Sequence, residues 1–125
     1  MKSPFELTKE EMQSYGYKIV DIIVNQYNNE EKKLPVSIAS RKEMDAVFLQ
    51  EAPEKGLPAD EVLDFVMKNV MPNSNLSSHP KSFSFVPGPS NFISTMADSL
   101  ATGFNIFSGG WIVSPSAAEL EIVTM

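Results

Sequence analysis

The sequence predicts an all-α chain of about five helices interrupted by one extended, proline-rich segment, and three observations lead there. Apolar residues recur at three- and four-residue steps in successive stretches. Residues that cap helix starts stand just ahead of them. The alternating stretch Phe83, Phe85 and Pro87 sits among prolines and a glycine, so it reads as extended chain and not as part of a sheet.

In chain order, Thr8 followed by Glu11 fits a capping box, in which the hydroxyl accepts from the third helical amide and the carboxylate reaches back to the cap amide. Met12, Tyr15, Ile19, Ile22, Ile23 and Gln26 or Tyr27 then form one stripe, ending near Asn28 or Asn29. Gly16 lies inside this helix at a cost of about 1 kcal/mol relative to Ala, which close approach of another helix would explain. Residues 30–39 form a linker in which Leu34 is held extended by Pro35. Ser40 and Glu43 repeat the capping box, and Met44, Val47 and Phe48 give a helix of two to three turns ending before Pro53. Pro58 suits a first helical turn and Asp60 with Glu61 the positive end of the helix dipole. Val62, Phe65, Val66 and Val70 make the third stripe, which Pro72 closes. After the polar loop of residues 73–78 and the extended segment of residues 79–89, Ser90 or Asn91 caps a fourth helix rich in small residues, broken by Gly109 and Gly110. Ser114 and Pro115 open a fifth helix that reaches Met125 without a stop signal, which suggests a cut at a reading-frame or cloning boundary.

Charge divides the chain unevenly. All 10 Lys and Arg lie in residues 1–81, and after Lys81 the only charged side chains are Asp98, Glu119 and Glu121. Phe83, Phe85, Phe92, Phe104, Phe107 and Trp111 crowd this last third. Burying each is worth roughly 1.5–3 kcal/mol, so the last third is expected to be interior and the first part surface. Either the chain's own helices or a second copy must supply the cover. A net charge of −6 argues against nucleic acid and anionic membranes as partners. No Cys is present, so there is neither a disulfide nor a thiolate metal site, which is compatible with the cytoplasm. The N-terminus is too charged for an export signal, and the apolar run from Ile19 to Val24 is far shorter than the roughly 20 residues of a membrane span.

The order of short motifs is more telling than any one of them. His79-Pro80-x-x-Phe83-x-Phe85-Val86-Pro87-Gly88-Pro89, a small-residue helix ending in Gly103-Phe104-Asn105-Ile106-Phe107-Ser108-Gly109-Gly110-Trp111, and then Ser114-Pro115 with Glu119-Leu120-Glu121 together resemble the N-terminal part of the pyridoxal-phosphate-dependent group II amino acid decarboxylases. That family includes the aromatic amino acid, tyrosine and glutamate decarboxylases. The likeness extends back through residues 67–72 and Leu34-Pro35-Val36 to the first helix, so residues 1–125 as a whole read as one N-terminal dimerisation and substrate-pocket segment of a longer enzyme. It implies the arm of a fold-type I enzyme, interwound with its counterpart in a cytoplasmic homodimer. In relatives, a Tyr/Phe-Phe-Pro-Thr type segment lines the substrate pocket, and it corresponds here to Phe85, Val86, Pro87 and Gly88. Gly88 replaces the commoner Thr and Val86 a frequent aromatic, which thins an aromatic wall and leaves the substrate unassigned. The region approaching the second subunit's active site corresponds to Phe107 and Gly109. Each aromatic could equally be core filling, and for Phe83 and Trp111 that reading is preferred.

Catalysis by this segment alone is not expected. His79 is the only imidazole, no Ser stands in a nucleophile-elbow motif, and no carboxylates are spaced to complete a metal site around one His. His79 beside Pro80 reads first as a structural hydrogen-bonding residue. The implied cofactor, pyridoxal phosphate, needs a Schiff-base Lys, a base stacked on its ring and an acidic partner for the pyridine nitrogen. By the resemblance these lie beyond Met125, so the segment itself should bind no cofactor, and Lys81 sits in the wrong motif to serve. The competing reading is a free-standing helical dimerisation or interaction module without chemistry. Coding sequence running on into an α/β region with a cofactor Lys separates the two.

Overall fold

The computed structural model describes residues 6–83, 86 and 88–125. Among them the regular structure is entirely helical, so the all-α expectation holds. The chain divides into two units, Met1–Pro89 and Ser90–Met125.

In the first unit, α1 spans Lys9–Asn29 and begins with the expected capping box. The Glu11 amide donates to Thr8 Oγ1 at 3.1 Å and the Thr8 amide to Glu11 Oε2 at 2.6 Å. Gly16, however, has nothing among the described residues beyond its own helix backbone within 4 Å of where a Cβ would stand, so the close approach expected there is not made among the described residues. A short 3₁₀ turn, Glu30–Lys32, ends α1 and releases an extended strap, residues 33–39. The strap is tied to the loop after the third helix: the Leu76 amide donates to the Pro35 carbonyl at 2.9 Å, and Ser37 Oγ to Asn73 Oδ1 at 2.9 Å.

Helix α2, Arg41–Phe48, starts on the second capping box, with the Ser40 amide donating to Glu43 Oε2 at 2.7 Å. It meets α3, Ala59–Phe65, through the edge-to-face rings of Phe48 and Phe65, whose centroids are 5.9 Å apart. Lys18 of α1 reaches Asp60 of α3 at 2.6 Å. Pro58 stands one residue earlier than expected, as the N-cap of α3 and not in its first turn.

The end of α3 also differs from the sequence reading. Residues Val66–Val70 open into a π-helical turn, with the Met71 amide donating to the Val66 carbonyl, and Pro72 then lies inside a closing 3₁₀ turn, Met71–Asn73. The ring of Pro72 collides with the carbonyl four residues back in a regular helix and brings no amide hydrogen, so the helix widens before it stops. Side chains fill the disrupted ladder: Asn69 donates to the Phe65 carbonyl at 3.0 Å and Ser74 Oγ to the Val70 carbonyl at 2.8 Å.

The second unit holds α4, Phe92–Phe104, and α5, Pro115–Thr124. Asn91 caps α4, its Oδ1 accepting from the Ser94 amide at 2.9 Å. Helix α4 stops at Asn105, which takes a left-handed conformation (φ 48°), and not at the Gly109-Gly110 pair. Asparagine tolerates that conformation better than other non-glycine residues, which makes it an effective helix terminus. Pro115 starts α5 as expected, but the Ser114 side chain makes no capping bond. Among the described residues the expected interior character of the last third is not met: Phe104 is 76% exposed, Phe107 63% and Trp111 56%.

Candidate functional site

The segment resembling a substrate wall begins at a tight turn. The His79 amide donates to the Leu76 carbonyl at 3.1 Å, the Ser82 amide to the His79 carbonyl at 2.8 Å, and the Lys81 amide to His79 Nδ1 at 3.0 Å. Ser78 Oγ anchors the turn to the end of α1 by donating to Glu30 Oε2 at 2.6 Å. Beyond it, Phe83 and Val86 are almost fully exposed and Gly88 is exposed. Phe85 and Pro87 lie outside the described residues.

Phe107 and Gly109, in the second unit, are brought together. A Cβ built on Gly109 would stand 2.5 Å from Phe107 Cζ, so the ring lies directly on the glycine backbone. Ser108 Oγ donates to Glu121 Oε1 at 2.6 Å, which holds this loop against α5. A shallow depression of about 360 Å³ opens between them, lined by Trp111, Ala118, Ile122 and Met125 together with the loop.

A feature that sequence reasoning missed lies in the first unit. Beneath the strap is a mainly apolar groove of about 620 Å³, bounded by Leu34, Val36 and Ile38 on one side and Met67, Met71 and Leu76 on the other. Gln26 and Lys33 form its polar end: Lys33 Nζ donates to Gln26 Oε1, while Gln26 Nε2 is buried without a partner. The one sequence sign of it is Leu34-Pro35-Val36, whose forced extension lifts the strap off the helices.

The hydrogen bonds from Ser40 hold the Glu43 carboxyl below its ordinary range. The hydrogen bond to Asp60 raises the Lys18 ammonium. Among the described residues no cluster of His, Asp and Glu is arranged to hold a metal ion.

Comparison with known proteins bears on what this arrangement belongs to. No family model matches the chain. It is 36% identical to an aromatic-L-amino-acid decarboxylase of Bacillus atrophaeus over 126 residues, covering 100% of this chain and 26% of that protein. The chain is homologous to the N-terminal quarter of aromatic amino acid decarboxylases. In structure it matches tryptophan decarboxylase of Catharanthus roseus, solved in complex with L-tryptophan, with a TM-score of 0.82 at 25% identity over 94% of this chain and 25% of that one. The Oryza sativa enzyme with pyridoxal phosphate and tryptamine shares the fold at a TM-score of 0.83 and 23% identity, over 98% of this chain and 25% of that one. The chain therefore spans about a quarter of the length of the relatives it matches.

The described residues do not by themselves fit pyridoxal phosphate. The described lysines are all exposed, and Lys33, which borders the large groove, is engaged by Gln26. Neither groove is lined by a histidine that could stack on the cofactor ring.

Proposed function

We propose that residues 1–125 are the N-terminal dimerisation and substrate-pocket segment of a pyridoxal-phosphate-dependent decarboxylase of aromatic amino acids, acting as a cytoplasmic homodimer. The observation that carries this reading is the match of the entire chain to one quarter of a decarboxylase at 36% identity, with the helical order retained in structures at TM-scores above 0.8. The cofactor, held by residues outside this segment, supplies the electron sink for loss of carbon dioxide. Phe85, Val86, Pro87 and Gly88 contribute to the substrate wall, and Phe107 with Gly109 belong to the region that approaches the second subunit's active site. A flat aromatic ring suits surfaces made of Phe rings and bare backbone. The uncovered apolar side chains of α4 and the loop after it support the homodimer, because a symmetric partner offers them the same kind of surface.

The test uses the protein encoded by the complete gene. Purified with pyridoxal phosphate, it should release carbon dioxide from L-tryptophan, L-tyrosine or L-DOPA and act poorly on L-glutamate. Absence of turnover with every aromatic amino acid, or a preference for glutamate, overturns the assignment.

A further inference from the structure

Phe107 and Gly109 belong to a stretch, residues 106–109, that its own backbone does not fix. Among the described residues, these four make no backbone–backbone hydrogen bond. The nearest such bonds flank them, from the Asn105 amide to the Thr102 carbonyl and from the Val113 and Ser114 amides to the Gly110 carbonyl, each at 3.1 Å. The Phe107 ring rests on Gly109, inside the same stretch, so that contact travels with the stretch and does not anchor it.

One polar tie joins the stretch to a helix. Ser108 Oγ donates to Glu121 Oε1 of α5 at 2.6 Å. Hydrogen bonds of a hydroxyl to an ionised carboxylate run at about 2.5–2.7 Å and are roughly twice as strong as neutral ones. Residues 90–125 contain no Lys, Arg or His, so no side-chain cation of this unit competes with Ser108 for the carboxylate. We infer that Glu121 is a positioning residue: through Ser108 it fixes the stretch that presents the Phe107 ring and the bare Gly109 backbone. The inference rests on the reading of Phe107 and Gly109 as part of the region approaching the second subunit's active site, and it adds a residue that does not touch substrate. A misplaced Phe107 weakens binding of the substrate's ring and leaves the chemistry at the cofactor unchanged, so the effect belongs in KM and not in kcat.

The test is made in the protein encoded by the complete gene. Glu121→Ala and Ser108→Ala each remove the tie, whereas Glu121→Gln keeps an oxygen that accepts from Ser108. Steady-state kinetics with L-tryptophan are read beside amide hydrogen exchange of residues 105–114, followed by mass spectrometry, which reports local opening of the stretch. Either alanine variant should raise KM about fivefold with kcat within about twofold of wild type, and should speed exchange. Glu121→Gln should stay within about twofold of wild type in KM. The two alanine changes combined should do no more than either alone, because both break one bond.

Alanine variants that match wild type in KM and exchange overturn the inference. So do additive effects in the double variant, which mean that Glu121 does not act through Ser108. It is equally overturned if Glu121→Ala and Glu121→Gln lose thermal stability alike and lower kcat as much as they raise KM, since that marks a residue needed only for folding. Faster exchange with an unchanged KM keeps the tie and removes Phe107 and Gly109 from the pocket, which overturns the effect on substrate. A wild-type protein inactive on every aromatic amino acid rejects the proposed function instead, and the exchange comparison then decides the tie by itself.

Discussion

Gly109 tolerates Phe107 only because it has no side chain: a methyl group would stand 2.5 Å from the ring's far edge. Phe107 is 63% exposed, so the ring can swing into solvent with little loss of packing. Gly109→Ala is therefore expected to change unfolding free energy by less than about 1 kcal/mol while moving the ring. If Phe107 is part of the substrate wall, KM for the preferred aromatic amino acid rises several-fold in the complete protein and Phe107→Ala does the same. An unchanged KM in both removes Phe107 from the wall. Glu43 offers a second test at this scale, because the Ser40 hydrogen bonds lower its pKa in the folded chain. A carboxyl lowered on folding stabilises the folded form fully above its unfolded value and loses that contribution as pH falls through the folded one. Helix α2 should accordingly fray only in acid, below the ordinary glutamate range. Ser40→Ala should return the carboxyl toward its ordinary value, as followed by carbon NMR titration of the side chain.

At the scale of elements, the helix starts were more legible than the helix ends. Thr8 with Glu11 and Ser40 with Glu43 form their boxes as read, because a capping box is settled within four residues and needs no distant partner. Thr8→Ala should consequently cost about 1 kcal/mol in denaturant unfolding, and Thr8→Ser much less. The end of α4 was misread because two adjacent glycines are a louder signal than one asparagine, yet Asn105 adopts the left-handed turn first. The widened turn at the end of α3 depends on how the chain accommodates Pro72 and on three side chains that repair the ladder, Asn69, Asn73 and Ser74. Nor was the groove legible. It exists because the strap is held by bonds between residues some forty positions apart, such as Pro35 with Leu76, which no local pattern encodes. For the candidate site, motif order pointed to Phe107 and Gly109, and their contact now gives a physical reason for the glycine. The burial of His79 was invisible, since a histidine before a proline looks the same in any loop.

The molecule as a whole leaves its apolar surface unfinished. No apolar side chain among the described residues is buried, and Ile93, Leu100, Phe104, Ile112 and Val113 are each more than 60% exposed. Each costs roughly 1.5–3 kcal/mol relative to burial, so a chain in this state gains strongly from any complementary surface. The proposed homodimer supplies one from a second copy under two-fold symmetry, where the same patch serves on both chains. Closest approach is expected along α4, where Ala97, Ala101 and Gly103 are exposed and Gly103 has nothing within 4 Å of a would-be Cβ. Ala101→Trp should then weaken association by at least tenfold, about 1.4 kcal/mol, whereas Lys32→Ala, a change at a charged exposed residue, should leave it unaltered. Sedimentation velocity of the complete protein at micromolar concentration reads both, with a dimer expected for wild type and for Lys32→Ala and a monomer-enriched distribution for Ala101→Trp. A wild-type monomer would mean that the faces are covered within one chain. An Ala101→Trp dimer as stable as wild type would move the interface away from α4.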